Sequence, residues 1–252
     1  MNKLKEALSK NDVTIGTWLQ IPSAVVTEIV AQNSEGKLDW MCIDMEHGAI
    51  GMETMVDMIR VIERYGITPI VRVPNNDYIW IHRSLDAGAK GIVVPMVKSG
   101  GEAYYAYKES KYPPEGERSF GYSRANNYGI DFWEAIKKAN DEISVIIQIE
   151  HIDAIHDLPG ILHIPIDGTF IGPLDLAGSM GKLHDMDSGE FYKVLDHYLR
   201  MSNVTGIPTG THVIHPNNMN IQKAIENGYK IIAVGLDTIF LEERCRAIFG
   251  KI

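Results

Sequence analysis

Residues 40–73 read WMCIDMEHGAIGMETMVDMIRVIERYGITPIVRV, and this stretch decides the fold. It opens on a short apolar run, 40 to 44, from which Asp44, Glu46 and His47 emerge. From about Met52 to Tyr65 the apolar residues recur with helical period, Gly66 ends the run, and a second apolar segment fills 68 to 73. A strand, an amphipathic helix and another strand form a crossover unit, which makes the two strands parallel. Working outward, the same alternation predicts strands at 13 to 20, 91 to 97, 144 to 149, 168 to 172, 207 to 212 and 230 to 235, giving eight in all. Ser23 is placed to cap the helix after the first strand, and LDAG closes the third helix at Gly88. Eight such units in 252 residues favour one closed (β/α)8 TIM barrel, a single domain over 1–252. An open doubly wound sheet is the alternative, but it brings a GxGxxG turn after its first strand, and none stands there.

Composition narrows the function. The formal charge is -9 and the 24 basic residues are scattered, which argues against nucleic acid or an anionic membrane surface as partner and for a small molecule. No apolar run approaches the roughly 20 residues that cross a bilayer, and MNKLKEALSK lacks the apolar centre of a signal peptide, so a cytoplasmic protein is expected. Cys42 and Cys245 have no metal-type spacing and are expected to be small core residues in a reducing compartment. The connection from Lys111 to about Tyr128 has no clear apolar period; its mixture of Pro, Gly, Arg and Tyr suits an ordered lid over an active site, with a plain surface excursion as the alternative.

Barrels of this type gather their chemistry at the C-terminal strand ends. Asp44, Glu46 and His47 follow the second strand, Arg72 ends the third, Glu150 the fifth, and Asp175 follows Gly172 and Pro173 after the sixth. Adjacent strands lie about 4.8 Å apart, so carboxylates at neighbouring tips can converge on one hard cation with open positions left over. Equally, Glu150 and Asp175 can simply cap the helices that follow. An imidazole ordinarily titrates near neutral pH, so His47 suits general acid-base work, with Asp44 or Asp86 to orient its ring. Arg72 can stabilise developing oxygen charge, or pair with Asp44 or Glu46 inside the barrel, or both. Of the nine histidines, seven, including His82 and His215, read as helix or loop surface; His212, after TGT on the seventh strand, faces the same mouth as His47.

Read together, GTWLQIPS, DWMCIDMEHG, PIVRVP, LDAGAKGIVVPMV, KYPPEGERSFG, SRANNYG, VIIQIE, DGTFIGPLDLAGSMG and GYKIIAVGLDT run nearly end to end. In that order they resemble the HpcH/HpaI aldolase family, class II pyruvate aldolases of the 4-hydroxy-2-oxoheptanedioate and 2-keto-3-deoxy-sugar-acid type. The resemblance implies a divalent cation, Mg2+, Mn2+ or Co2+, on Glu150 and Asp175, holding pyruvate through its carboxylate and keto oxygens. It implies that Arg72 steadies the enolate and the aldehyde oxygen, and that His47, helped by Asp44 and Asp86, governs proton transfer. Gln148 would sit beside the keto group, the backbone of Gly172, Pro173, Leu174 and Asp175 would receive the carboxylate, and Trp18 would line the aldehyde pocket. It also implies a homo-oligomer, a hexamer built as a trimer of dimers, with neighbouring chains contributing to the site and the final helix, TIFLEERCRAIFG, exchanged between partners.

Two positions depart from the family pattern. Leu174 stands where relatives have a small or aromatic residue, and the seventh-strand loop THVIHPNN brings His212 and His215 in place of an apolar lining. Both shape the aldehyde end and favour a polar or sugar-derived aldehyde. Competing readings are a CoA-ester lyase of the citrate lyase β type, for which no basic cluster suited to CoA phosphates stands out, and a Schiff-base aldolase using Lys98. A non-catalytic metabolite-binding barrel is the reading outside enzymology, and it conflicts with the presence of Glu150, Asp175, His47 and Arg72 together.

Overall fold

The structure is a computed structural model that describes residues 2–250; residues 1, 251 and 252, the ends of the expected domain, lie outside the described residues. Eight parallel strands close on themselves in chain order. They are β1 (Thr14–Leu19), β2 (Trp40–Asp44), β3 (Thr68–Arg72), β4 (Gly91–Val94), β5 (Ser144–Ile149), β6 (Gly168–Ile171), β7 (Thr209–Val213) and β8 (Ile231–Leu236). Helix α1 (Lys3–Ser9) precedes β1, and α2 (Ala24–Asn33), α3 (Met52–Arg64), α4 (Tyr78–Asp86) and α5 (Gly100–Ser110) follow the first four strands. A 3-10 turn (Arg124–Gly129) and α6 (Phe132–Glu142) lead into β5. Then come α7 (Ile152–His156), α8 (Leu158–Leu162), α9 (Pro173–Ser179), α10 (Gly189–Thr205), α11 (Asn218–Glu226) and α12 (Asp237–Phe249). The fold is the expected (β/α)8 TIM barrel.

Two strand ends differ from expectation by two residues or more, both at prolines, and the others agree to within one residue. β4 stops at Val94 because Pro95 brings no N–H to the ladder and Met96 turns into left-handed backbone (φ 53°). β7 begins at Thr209, just after Pro208. The helical signals hold: Ser23 accepts from the Val26 amide at the start of α2, and α3 buries Met55, Met58, Ile59 and Ile62 as one stripe.

Side chains alternate with period two along each strand, so one set fills the barrel and the other packs under the helices. Trp40 is fully buried among the inner set, and Gly16 is required opposite it, since a methyl there would sit 2.0 Å from the Trp40 ring. The sequence reading contains no α1, yet this helix plugs the N-terminal end of the barrel. Leu4 and Leu8 join the inner cluster, and the Asn2 amide reaches the carbonyls of Lys90 and Glu142 and the Ser144 hydroxyl at 2.6–3.0 Å.

The segment after α5 corrects the expectation of a lid. Each helix returns antiparallel to its strand, so whatever joins α5 to β5 must begin and end at the N-terminal end of the barrel. There Arg118, buried, donates to Asp86 at the end of α4 at 2.7 Å and stacks over Tyr112, while Arg124 pairs with Glu63 and donates to the Ala87 carbonyl. This chain's own strand mouth lies at the opposite end. In α12 only Asp237 is buried; Cys245 is exposed, which corrects its reading as a core residue, whereas Cys42 is buried in β2. Among the described residues no helix is long and apolar enough to cross a membrane.

Candidate active site

Period two explains which residues meet. Trp18 on β1, Asp44 on β2, Arg72 on β3, Gln148 on β5, Phe170 on β6 and His212 on β7 share the inward phase, and Glu150 and Gly172 continue it just past their strands. They line, or stand beside, a cavity of about 630 Å³ at the C-terminal end of the barrel, which His47, Pro173, Leu174 and Asp175 also line.

Asp44 and Arg72 are direct register partners. Arg72 Nε donates to Asp44 Oδ1 at 2.9 Å and Nη2 to Oδ2 at 2.6 Å, while Nη1 lies 3.1 Å from Glu46 Oε2. Burial pushes the Asp44 carboxyl up, but the hydrogen bonds and charge of Arg72, with help from Gln20, hold it below the ordinary carboxylate value. Asp44 Oδ1 also accepts the backbone amides of Glu46 and His47 at 3.1 and 3.2 Å. Asp44 therefore shapes the turn that carries His47 and does not orient its ring, a correction to the sequence reading. The ring is largely exposed, with Nε2 3.9 Å from Glu46 Oε2. Asp86 is a second correction: it sits at the far end of α4, bonded to Arg118, and within one chain it is out of reach of His47.

Glu150 is buried and does not cap α7, because His151 does so by accepting from the Asp153 amide. Its Oε1 accepts from the Met96 amide at 2.7 Å and its Oε2 from Gln148 Nε2. The left-handed backbone of Met96 aims that amide inward, a conformation that non-glycine residues adopt at a cost and that clusters at functional sites. Burial pushes the Glu150 carboxyl up to about 7 against the pull of the Met96 amide, and the carboxylates of Glu46 and Asp175 add to the rise. Asp175 lies in the first turn of α9, whose N-cap is Gly172 without a side-chain bond. Gly172 has no room for a methyl, which would fall 2.6 Å from Glu150 Oε2. Gln148 Oε1 is buried without a partner.

The aldehyde side of the reading is a stack. Arg72 lies 4.5 Å over the Trp18 ring, and Trp18 stacks on His212 at 5.8 Å and 19°. Gln20, Phe170, Met186, Ile214 and Leu236 also line the cavity and were not singled out in the sequence. Gln20 and Phe170 were findable, since both keep the inward phase of Trp18 and Gly172. Lys98 belongs to a neighbouring cavity with Pro74, Asn76 and Tyr105, so the Schiff-base lysine does not line the Arg72 pocket. His82 is not a surface residue as read: its ring is mostly covered and meets the buried Glu109 at 3.0 Å. Among the described residues no cluster of three or more His, Cys, Asp or Glu side chains is arranged for a metal.

Comparison with known proteins agrees with this geometry. The chain matches the HpcH/HpaI aldolase/citrate lyase family model over residues 15–242. It is 32% identical to a 4-hydroxy-2-oxo-heptane-1,7-dioate aldolase of Escherichia coli, over 99% of this chain and 94% of that protein. A solved HpcH/HpaI aldolase/citrate lyase family protein from Burkholderia cenocepacia J2315 superposes with TM-score 0.92 at 27% identity, covering 100% of this chain and 99% of the other. The solved citrate synthase SbnG superposes with TM-score 0.86 at 28% identity, covering 100% and 97%. The chain belongs to the HpcH/HpaI aldolase/citrate lyase family and is a carbon-carbon lyase of the aldolase kind.

Proposed function

We propose that this enzyme interconverts a 4-hydroxy-2-oxo acid with pyruvate and an aldehyde, using a divalent cation held by Glu150 and Asp175. One observation carries the reading: a buried glutamate, Glu150, held by the Met96 amide and Gln148, stands at the barrel mouth where Arg72 is gripped by Asp44 and Glu46 and Asp175 lines the cavity. Crowded carboxylates and the unpartnered Gln148 Oε1 form an all-oxygen donor set, which suits Mg2+, Mn2+ or Co2+. The cation, when bound, supplies Lewis-acid stabilisation of charge on a keto oxygen.

The chain's own groups do the rest. Arg72, held on both sides by Asp44 and Glu46, presents a rigid positive charge to oxygen as charge develops there. In the joining direction His47 takes a proton from the pyruvate methyl and gives one to the aldehyde oxygen as the carbon-carbon bond forms; in cleavage it takes the 4-hydroxyl proton and returns one to the methylene carbon. The free amides of Leu174 and Asp175 in the first turn of α9 face the substrate carboxylate. Trp18, Leu174 and His212 enclose the aldehyde.

The test is metal-stimulated pyruvate release from a set of 2-oxo-3-deoxy acids. Chelation should abolish release and Mn2+ or Mg2+ should restore it; release that ignores chelation would overturn the reading. The citrate synthase likeness favours a second reading, carbon-carbon joining on a different acceptor, which would leave every 2-oxo-3-deoxy acid uncleaved.

A cytoplasmic homo-oligomer completes the proposal, a trimer of dimers that exchanges α12. Its support is that α12 is exposed over most of its length from Leu241 onward, with Leu241, Ile248 and Phe249 uncovered. A cavity of about 500 Å³ lined by Ile15, Ile29, Leu38 and Val234 lies on the outside of β1 and β8, and of α12 only Phe240 reaches it. A role for Asp86 beside His47 would require a neighbouring copy.

A further inference from the structure

The β7 and β8 edge of the pocket holds an arrangement that the aldolase reading leaves unused. Gly16 pairs with Ala233 but Trp18 pairs with Leu236, so β8 carries one residue more than β1 over this step, a bulge at Val234 and Gly235. Gly235 takes left-handed backbone (φ +58°), and a methyl there would meet the Phe240 ring at 2.2 Å. The bulged carbonyl accepts from Thr17 Oγ1 at 3.2 Å and meets His212 Nε2 at 2.9 Å.

A carbonyl oxygen only accepts, so Nε2 carries the ring hydrogen and a neutral imidazole presents Nδ1 as a bare acceptor. Burial pushes the His212 imidazole below its ordinary value against the pull of the Gly235 carbonyl, and the Arg72 charge adds to the fall, which favours the neutral ring. Nδ1 makes no hydrogen bond among the described residues, and His212 lines the cavity. The stack on Trp18, itself under Arg72, fixes the ring plane. Phe170, Leu174, Ile214 and Leu236 give the same cavity an apolar share of its wall.

We propose that His212 selects the aldehyde by accepting a hydrogen bond at Nδ1 from a hydroxyl of that aldehyde, so that the partner of pyruvate is a hydroxyaldehyde and not a plain alkyl aldehyde. The inference rests on the pyruvate-enolate reading above. An aldehyde with methyl in place of hydroxyl would leave Nδ1 desolvated and unpaired, the arrangement that gives polar sites their discrimination.

Glycolaldehyde and propanal differ by that one exchange at nearly equal size. Their kcat/KM values for condensation with pyruvate are to be measured on the wild-type protein, His212→Leu and His212→Gln; intrinsic aldehyde reactivity cancels when ratios are compared between proteins. The expected preference for glycolaldehyde is about tenfold or more in wild type. It should collapse in His212→Leu and return in part in His212→Gln, whose amide can hold the Gly235 carbonyl while its oxygen accepts. An equal preference in wild type and His212→Leu overturns the assignment. A control on the wild-type protein separates the two levels. Failure to exchange the pyruvate methyl protons in deuterated water overturns the enolate reading and the inference together, whereas exchange with an unaltered ratio overturns the inference alone.

Discussion

The α1 plug and the strand mouth both bury charged and polar groups, and they treat them in opposite ways. At the α1 plug, Lys5 meets Asp167 at 2.8 Å and the Ile143 carbonyl at 2.8 Å, and Lys111 donates to the carbonyls of Asn140 and Ile143. Asn2 is saturated, its Nδ2 reaching three acceptors and its Oδ1 accepting from the Lys5 amide. At the mouth, Gln148 Oε1 is left without a partner and Glu150 has its carboxyl raised among other carboxylates. Satisfied polar groups hold a structure together; unsatisfied ones of matching chemistry wait for a ligand. The plug serves stability and the mouth serves chemistry, the division that parallel barrels show in general.

Arg72 gives the sharpest test of that division. Arg72→Lys keeps the charge but loses the fork, and should lower kcat by about 10²-fold. Arg72→Ala would strand the buried Asp44 and cost roughly 3–5 kcal/mol of stability as well, so denaturant melts must accompany the kinetics. Near-wild-type kcat in Arg72→Lys would remove the fork from the mechanism. At the other end, Asn2→Ala should cost about 1–3 kcal/mol in urea unfolding and leave kcat/KM unchanged while the protein is folded. A selective loss of activity there would show that the plug is coupled to the mouth.

The smallest effect concerns pH in the absence of metal. Glu150 has a folded value raised from the ordinary 4.5 to about 7, so the folded state holds its proton more tightly than the unfolded state. Stability from this group is therefore present below 4.5 and is lost as pH rises toward about 7. Asp44 acts in the opposite sense, contributing stability above 3.8 that is lost on acidification. Melting of the metal-free protein against its Glu150→Gln variant should show the wild type losing ground between pH 5 and 7. Parallel profiles would deny that Glu150 is strained by its surroundings.

Much of this was legible in the chain. The apolar runs and their spacing placed all eight strands, Ser23 announced its helix, and the polar residues at the strand tips pointed to the mouth. Asp44, Arg72, Gln148 and Glu150 could be read because a charge or amide in an apolar run needs a reason. The errors have a common cause. The segment 111–129 resembled a lid in composition, but its place is set by the direction in which α5 returns. Asp86 stands near Arg72 in sequence and at the opposite end in space, because a whole helix separates them. Asp44 lies three residues from His47, yet its oxygens are claimed by Arg72, Gln20 and two backbone amides.

The period of the apolar pattern, which any single sequence displays, determined the barrel, the inward phase of each strand and the end at which chemistry collects. What only the tertiary structure decided is which groups are left unpaired or crowded by like charge once the barrel closes: the unbonded oxygen of Gln148, the acceptor nitrogen of His212, and the Glu150 carboxyl, which is hydrogen-bonded by Met96 and Gln148 yet stands among other carboxylates. Pattern is a local property, repeated every two or 3.6 residues. Satisfaction of a buried polar atom depends on partners that closure brings from strands dozens of residues away, and no local rule contains them.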